Sequence, residues 1–207
     1  MGRINLIKGS SIDLTKKAPS LRRVSFGTGW EFLRRSFDLD IFAAATNDQG
    51  EYVTKDAICF FGQRSILSGA IQVSPDNLTG QGEGVDEELT VNLDRLPENV
   101  RYVYIGINIY QGRANNQRFS QLREAFLEIR NEDNNQLIGE YDLDQVIRDY
   151  QACILGRLKV TPDNLVFEPL LELFHGDTIQ PILREFGLRS GTDSTNSKRG
   201  FLRNLFG

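Results

Sequence analysis

The feature that most constrains this chain is the alternation of polar and apolar residues over residues 101–110, RYVYIGINIY. Successive side chains of a β-strand point to opposite faces, so this alternation gathers the apolar side chains on one face. A helix would instead need apolar residues at intervals of three and four. The segment therefore predicts a β-strand with one apolar face.

Short strand-like runs recur along most of the chain, separated by turn-forming sequences such as NDQG at 47–50, NEDNN at 131–135 and PDN at 162–164. This even spacing predicts an all-β fold, a two-sheet β-sandwich with one or two short peripheral helices. The helices are predicted at 144–150 and 177–186. The predicted strands cover 4–6, 12–14, 21–28, 39–46, 52–53, 57–61, 66–72, 88–93, 100–109, 125–130, 136–142, 152–161 and 165–170.

The bulk composition argues against several classes of function. The formal net charge is −4, from 28 acidic and 24 basic residues, so there is no general basic field for nucleic acid. Cys59 and Cys153 each lie in an apolar run and are predicted to be buried free thiols, as in a reducing compartment. With no bilayer-spanning apolar run and no secretory signal, we expect a cytoplasmic protein. His175 is the only histidine, which argues against a histidine-based catalytic site.

An acidic, glycine-rich segment at 76–88, DNLTGQGEGVDEE, is the strongest functional signal in the sequence. Calcium takes about six to eight oxygen ligands from carboxylates, amides and backbone carbonyls. Glycines let a loop adopt the backbone angles that turn its carbonyls inward. Asp38 and Asp40 would point to one face of an extended strand, and Glu31 follows Trp30 nearby in sequence. The spacing is not that of an EF-hand, so the residues alone leave a solvated acidic loop open as the alternative.

Four long stretches resemble the tellurium-resistance TerD family, and the similarity extends over about residues 3–188. They are LIKGSSIDLTKKAPSLRRVSFGTGWE (6–31), DLDIFAAATNDQG (38–50), DNLTGQGEGVDEELTVNLDRLP (76–97) and INIYQGRANNQRFSQLREAFLEI (107–129). The resemblance implies a β-sandwich that holds calcium in acidic loops. It also implies a link to stress response and to tellurite or phage resistance, without a known catalytic reaction.

By position, the resemblance implies a set of metal ligands. The side-chain ligands would be Asp38, Asp40, Asp76, Asn77, Asp86 and Glu87, with Gly82 and Gly84 supplying shape and carbonyls. Glu31 stands where the family usually has aspartate, and Phe42, Pro75 and Val85 are further departures. These departures predict one well-formed calcium ion near Asp76 and Glu87, and a second ion that is held less firmly.

The end of the chain differs in composition from the rest. Residues 1–188 are predicted to form the domain, 189–197 a flexible linker, and 198–207 a basic, aromatic docking peptide. Its docking residues would be Phe201, Leu202, Leu205 and Phe206, with Arg199 and Arg203 beside them. They would bind a protein partner, another copy or a membrane surface.

Three functions fit this sequence. The first is a calcium-binding module of a stress, tellurite-resistance or defence system that acts by binding. The second is a structural or adaptor subunit of a phage particle or membrane-associated complex, anchored through the C-terminal tail. The third, and weakest, is an enzyme with a carboxylate-metal centre.

Overall fold

The computed structural model describes residues 4–5, 7–32, 38–75, 84–144, 148–162 and 164–191. The helices are α1 (Leu14–Lys17) and α2 (Ile179–Phe186), and short 3₁₀ turns lie at Leu67–Gly69, Leu93–Arg95 and Phe119–Gln121. The strands are β1 (Ile4–Asn5), β2 (Ile12–Asp13), β3 (Arg23–Phe32), β4 (Leu39–Thr46), β5 (Ile58–Cys59), β6 (Ser65–Ile66), β7 (Ile71–Val73), β8 (Glu87–Asn92), β9 (Tyr102–Ile109), β10 (Leu122–Asn131), β11 (Gln136–Asp142), β12 (Ala152–Val160) and β13 (Leu165–Phe174).

Within the described residues these strands form two sheets. The order in the first is β1-β11-β10-β3-β8-β7-β6, and in the second β2-β13-β12-β9-β4-β5. The pairs are antiparallel apart from β1 with β11. This confirms the predicted all-β, two-sheet architecture.

The main core lies between the two sheets and comes from alternate positions of each strand. In β9, Val103, Ile105, Ile107 and Ile109 are all fully buried in this layer, as the alternation predicts. The rings of Phe26 in β3 and Phe167 in β13 meet across the layer with centroids 5.3 Å apart. Residues on the inner face of one sheet therefore pack directly on the inner face of the other.

Helix α2 covers the outer face of the second sheet. Its apolar side chains pack on residues of β4, β9 and β12 that alternate with those of the main core. The Tyr104 and Phe186 rings, for example, lie 5.4 Å apart in an edge-to-face contact. Gly187 ends the helix with φ 107°, a left-handed backbone conformation that glycine adopts readily. The predicted helix at 177–186 is confirmed with its start two residues later.

Two local predictions were wrong, and the backbone explains the first of them. The single strand predicted at 66–72 is two strands, because Leu67 and Ser68 have φ of 51° and 56° and turn the chain back on itself. Of the helix predicted at 144–150, residues 145–147 lie outside the described part, and residues 144 and 148–150 are not helical. Helix α1 was not predicted.

Candidate metal site

The acidic residues singled out above lie toward one end of the sandwich. Leu122, the first residue of β10, pairs with Phe32 at the end of β3. In the turn before Leu122, Phe119 N donates a hydrogen bond to Tyr150 O. Gln151, which follows Tyr150, accepts a hydrogen bond at its carbonyl oxygen from Ile109 N at the end of β9. The end of β3, the end of β9 and the antiparallel starts of β4 and β8 are therefore close together.

Asp86 and Glu87 occupy the start of β8 on the first sheet. Glu87 is 3% exposed and lies directly opposite Thr28 of β3, so both side chains are on the inner face. Asp86 is fixed by backbone on both sides. Its N–H donates to Thr28 O at 2.9 Å, and its Oδ2 accepts from Trp30 N at 3.1 Å. The register of β3 with β8 thus places Glu87 opposite Thr28, and Asp86 against the backbone of Thr28 and Trp30.

The donor atoms at this position fit a hard cation. Thr28 Oγ1 is buried and has no hydrogen-bond partner among the residues that the structure describes. A buried hydroxyl without a partner costs free energy, and a bound cation would use its lone pair. Carboxylate and hydroxyl oxygens are the kind of ligands that calcium takes. The set Thr28, Asp86 and Glu87 therefore suits calcium better than a soft metal.

Burial also makes this position unfavourable for uncompensated negative charge. Desolvation raises the pKa of Asp86, and the hydrogen bond from Trp30 N opposes part of that rise. A cation beside the carboxylate would favour its ionised form and reverse the shift.

Glu88, the last residue of the acidic segment, is separated from this group. It points to the outer face of the first sheet, where burial and the nearby Glu132 and Glu128 raise the pKa of its carboxyl. Glu128 is itself paired with Arg130, with Nη2 to Oε2 at 2.9 Å. The alternation of β8 thus sends Glu87 and Glu88 to opposite faces.

Gly84 begins the described part after residue 83 and passes close to β3. Its φ is 102°, in the left-handed region, and its carbonyl oxygen would be 2.2 Å from a Cβ added at Gly29. A glycine at position 29 is therefore required for residues 84–86 to approach β3 so closely. This approach brings Asp86 to the backbone of Thr28 and Trp30.

Asp38 and Asp40 lie on a different surface. Asp40 is 2% exposed and directly opposite Asn108 of β9, on the outer face of the second sheet with Phe42. Asp38 precedes the strand, and its carbonyl oxygen accepts from Tyr110 N at 2.8 Å. The structure therefore divides the proposed ligands into one group at the start of β8 on the first sheet and another on the outer face of the second sheet.

Glu31 joins neither group. It alternates with the buried Trp30, is exposed on the outer face of the first sheet, and lies opposite Arg123 of β10 in the strand register. The departure from aspartate to glutamate at this position thus affects a side chain on the face opposite to that of Glu87.

Comparison with known proteins shows the family to which this chain belongs. A family model described as the TerD domain matches residues 2–186. General stress protein 16U of Bacillus subtilis (strain 168) is 33% identical over 192 residues, which is 91% of this chain and 99% of that protein. This chain belongs to the TerD family. Tellurium resistance protein TerD of Serratia marcescens is 31% identical over 158 residues, 75% of this chain and 82% of that protein.

A solved structure shows the fold of this TerD-family protein independently. The crystal structure of a homologue of telluride resistance protein (TerD) from Streptomyces coelicolor A3(2) matches it with a TM-score of 0.63 and 24% identity. The match covers 79% of this chain and 95% of that one. The sheet architecture that the sequence predicts is thereby confirmed, and the match of the TerD family model confirms the predicted family.

Several predicted residues of this TerD-family protein lie outside the described residues. They include three of the proposed metal ligands, Asp76, Asn77 and Gly82. Among the residues that are described, no group of three or more His, Cys, Asp or Glu side chains is arranged to hold a metal. Any complete metal site must therefore draw on residues 76–83 or on groups of other types, such as Thr28.

The predicted C-terminal linker and docking peptide also fall largely outside the described residues. The docking peptide at 198–207 and most of the linker at 189–197 lie outside the described part, with Arg199, Phe201, Leu202, Arg203, Leu205 and Phe206. The adaptor function that relied on them stays a prediction. No helix within the described residues is long and apolar enough to cross a membrane.

Proposed function

We propose that this TerD-family protein binds calcium at the start of β8 and acts in a stress or tellurite-resistance response by binding rather than by catalysis. The observation that carries the proposal is the buried cross-strand pair of Thr28 and Glu87, flanked by the backbone-anchored Asp86. Its relatives include proteins named for general stress and for tellurium resistance. Residues 76–83 join the described chain directly at Gly84 and would supply the remaining oxygens, from Asp76, Asn77 and the Gly82 carbonyl.

The two groups of carboxylates would hold one principal ion and one further ion. The principal ion would sit beside Asp86 and Glu87, where Glu87 and the Thr28 hydroxyl share the inner face of the first sheet and Asp86 is anchored next to them on the backbone of β3. A second ion would use Asp38 and Asp40 on the outer face of the other sheet. Because the two groups are on different faces, loss of one should leave the other able to bind.

Binding rather than catalysis is supported by the surroundings of the single histidine. His175 stacks on Tyr150 with ring centroids 4.4 Å apart, and its Nδ1 lies 3.3 Å from Gln151 Oε1. An amide partner does not activate histidine as a general base toward a nucleophile. Both cysteines are free and buried, which fits residence in the cytoplasm.

Thermal unfolding with and without calcium tests the proposal. A ligand that binds only the folded state stabilises it by about 2.7 kcal/mol when present at a hundredfold excess over its dissociation constant. We expect the midpoint to rise in millimolar calcium, to fall again when a chelator is added, and to respond much less to magnesium, which prefers to keep its water ligands. An unchanged midpoint in calcium would refute the proposal.

A further inference from the structure

An aromatic pocket opens on the outer face of the second sheet, beside the first turn of α2. It has a volume of about 400 Å³. One wall is Ile58, Phe60 and Phe61 around β5, and another is Tyr110 beyond β9. Residues 177–181, which lead into α2 and form its first turn, complete the lining. No residue of the pocket belongs to the proposed principal calcium site.

Two aromatic side chains of this pocket are unusually exposed. Phe61 and Tyr110 are each 37% exposed, and their rings lie 5.4 Å apart at an interplanar angle of 73°. Phe60 continues the cluster, with its ring 5.4 Å from that of Phe61. A rigid aromatic wall that faces solvent is typical of a surface that another apolar group covers.

The floor of the pocket carries a polar atom that requires a donor. Asn108 lines the pocket and is only 1% exposed, and its Oδ1 has no hydrogen-bond partner among the described residues. Asp177 is the one charged residue among those that line the pocket. The lining therefore suits a ligand with aromatic or aliphatic side chains, an N–H donor and positive charge.

The chain itself carries a segment with this chemistry at residues 198–207, KRGFLRNLFG. It combines four large apolar residues, Phe201, Leu202, Leu205 and Phe206, with three cations, Lys198, Arg199 and Arg203. The sign of its charge is opposite to that of Asp177. Its backbone and guanidinium N–H groups match the acceptor on Asn108.

The position at which the described chain ends allows this segment to reach the pocket. Arg189 is anchored beside β4, where Tyr52 N donates to its carbonyl at 2.9 Å and its own N–H donates to Gly50 O. From there to the pocket floor is roughly the length of β4 from Thr46 back to Asp40, about 20 Å at 3.3 Å per residue. The chain from Gly191 to Phe201 spans up to about 33 Å when extended, so the linker is long enough.

We propose that residues 198–207 dock into this aromatic pocket of the same chain, with apolar side chains on Phe61 and Tyr110 and donors directed to Asn108 and Asp177. The short tether keeps the local concentration of the segment high, so a modest intrinsic affinity suffices for docking. Release of the segment would expose both the pocket and the basic, aromatic peptide to another partner. Docking in cis is thus a self-contained device for controlling such an interaction.

Paramagnetic broadening in the full-length protein tests this. A nitroxide is attached through a Ser197→Cys substitution, since Cys59 and Cys153 are buried and would not be labelled. In a ¹⁵N-labelled, spin-labelled sample, we expect broadening of the amides of residues 58–61, 108–110 and 177–180. The broadening should disappear in a double variant, Phe201→Ser with Phe206→Ser, which leaves the described fold unchanged.

A matched pair of surface variants and a mixed sample decide the outcome. Phe61→Ser should abolish the broadening, whereas Leu137→Ser, at a similarly exposed side chain on the other sheet (38% exposed), should keep it. In a mixture of spin-labelled protein without ¹⁵N and ¹⁵N-labelled protein without a spin label, the amides of the pocket should show no broadening. Absence of broadening in the first sample would overturn the proposal. Equal broadening in the mixed sample would overturn docking in cis and show that the segment binds a second copy.

Discussion

Replacing Thr28 by valine should stabilise the metal-free protein and weaken its response to calcium. Thr28 is 1% exposed, and its hydroxyl has no hydrogen-bond partner within the described residues. Valine has nearly the same shape and removes the unpaired group, whose burial costs roughly 1–3 kcal/mol. For a domain of this size, each 1 kcal/mol corresponds to about 2–4 °C in Tm. In the presence of a chelator, the variant should therefore unfold at a higher temperature than the wild type.

In the presence of calcium, the difference in stability between Thr28→Val and the wild type should change, because the Thr28 hydroxyl would act as a calcium ligand. Each tenfold loss of calcium affinity removes about 1.4 kcal/mol from the stabilisation at a fixed, saturating concentration. The calcium-dependent increase in the free energy of unfolding should consequently be smaller in Thr28→Val than in the wild type. Urea unfolding at fixed temperature, with chelator or with calcium, measures both quantities on the same samples.

Thr46→Val is the matched control for this experiment. Thr46 is also fully buried with an unpartnered hydroxyl among the described residues, but it ends β4 on the other sheet, far from Asp86. Thr46→Val should stabilise the protein in chelator and leave the calcium-dependent increase in the free energy of unfolding unchanged. If calcium raises the free energy of unfolding equally in Thr28→Val, Thr46→Val and the wild type, the assignment of Thr28 to a calcium site is refuted.

Three further predictions concern charge, backbone approach and thiols. Because burial raises the pKa of Asp86 and Glu88, each contributes stability that is present below its unfolded pKa and is lost as pH rises through its folded one. In chelator, Asp86→Asn and Glu88→Gln should both flatten the fall in urea midpoint as the pH rises above about 4, the pKa of an unfolded carboxyl. Only Asp86→Asn should weaken calcium binding, and equal losses of affinity in the two variants would count against the site. Gly29→Ala should displace the Gly84 carbonyl and lower calcium affinity in a titration, and an unchanged affinity would contradict the close approach. Burial raises the pKa of Cys59 to about 12 and also raises that of Cys153, so alkylation at neutral pH should follow unfolding, and labelling of native protein would contradict their burial.

The sandwich could be predicted because its strands alternate clearly. Strand β9 sends every second residue from Val103 to Ile109 into the core between the sheets, as its sequence indicates, and β4 and β11 have the predicted bounds. The prediction failed where backbone conformation rather than hydrophobic pattern decides the path. At Leu67 and Ser68, two positive φ angles end one strand and begin another inside what reads as one apolar run.

The candidate site could be predicted only in part. The sequence indicates which carboxylates are available, but pairing register decides which of them share a face. Glu87 and Asp40 are each nearly fully buried, yet they belong to opposite faces of different sheets. Thr28 was missed because a threonine in a strand has no distinctive pattern. The signal was its cross-strand position opposite Glu87, which requires the register of β3 with β8.

Isothermal titration of the metal-free, full-length protein with calcium tests the central claim most directly. The wild type should bind at least one ion per chain. Glu87→Gln, which keeps the shape of the side chain and removes its charge, should lose that ion, while Glu88→Gln should retain it. A wild type that binds no calcium, or a Glu87→Gln variant that binds it as the wild type does, would contradict the proposal that this TerD-family protein holds calcium at the start of β8.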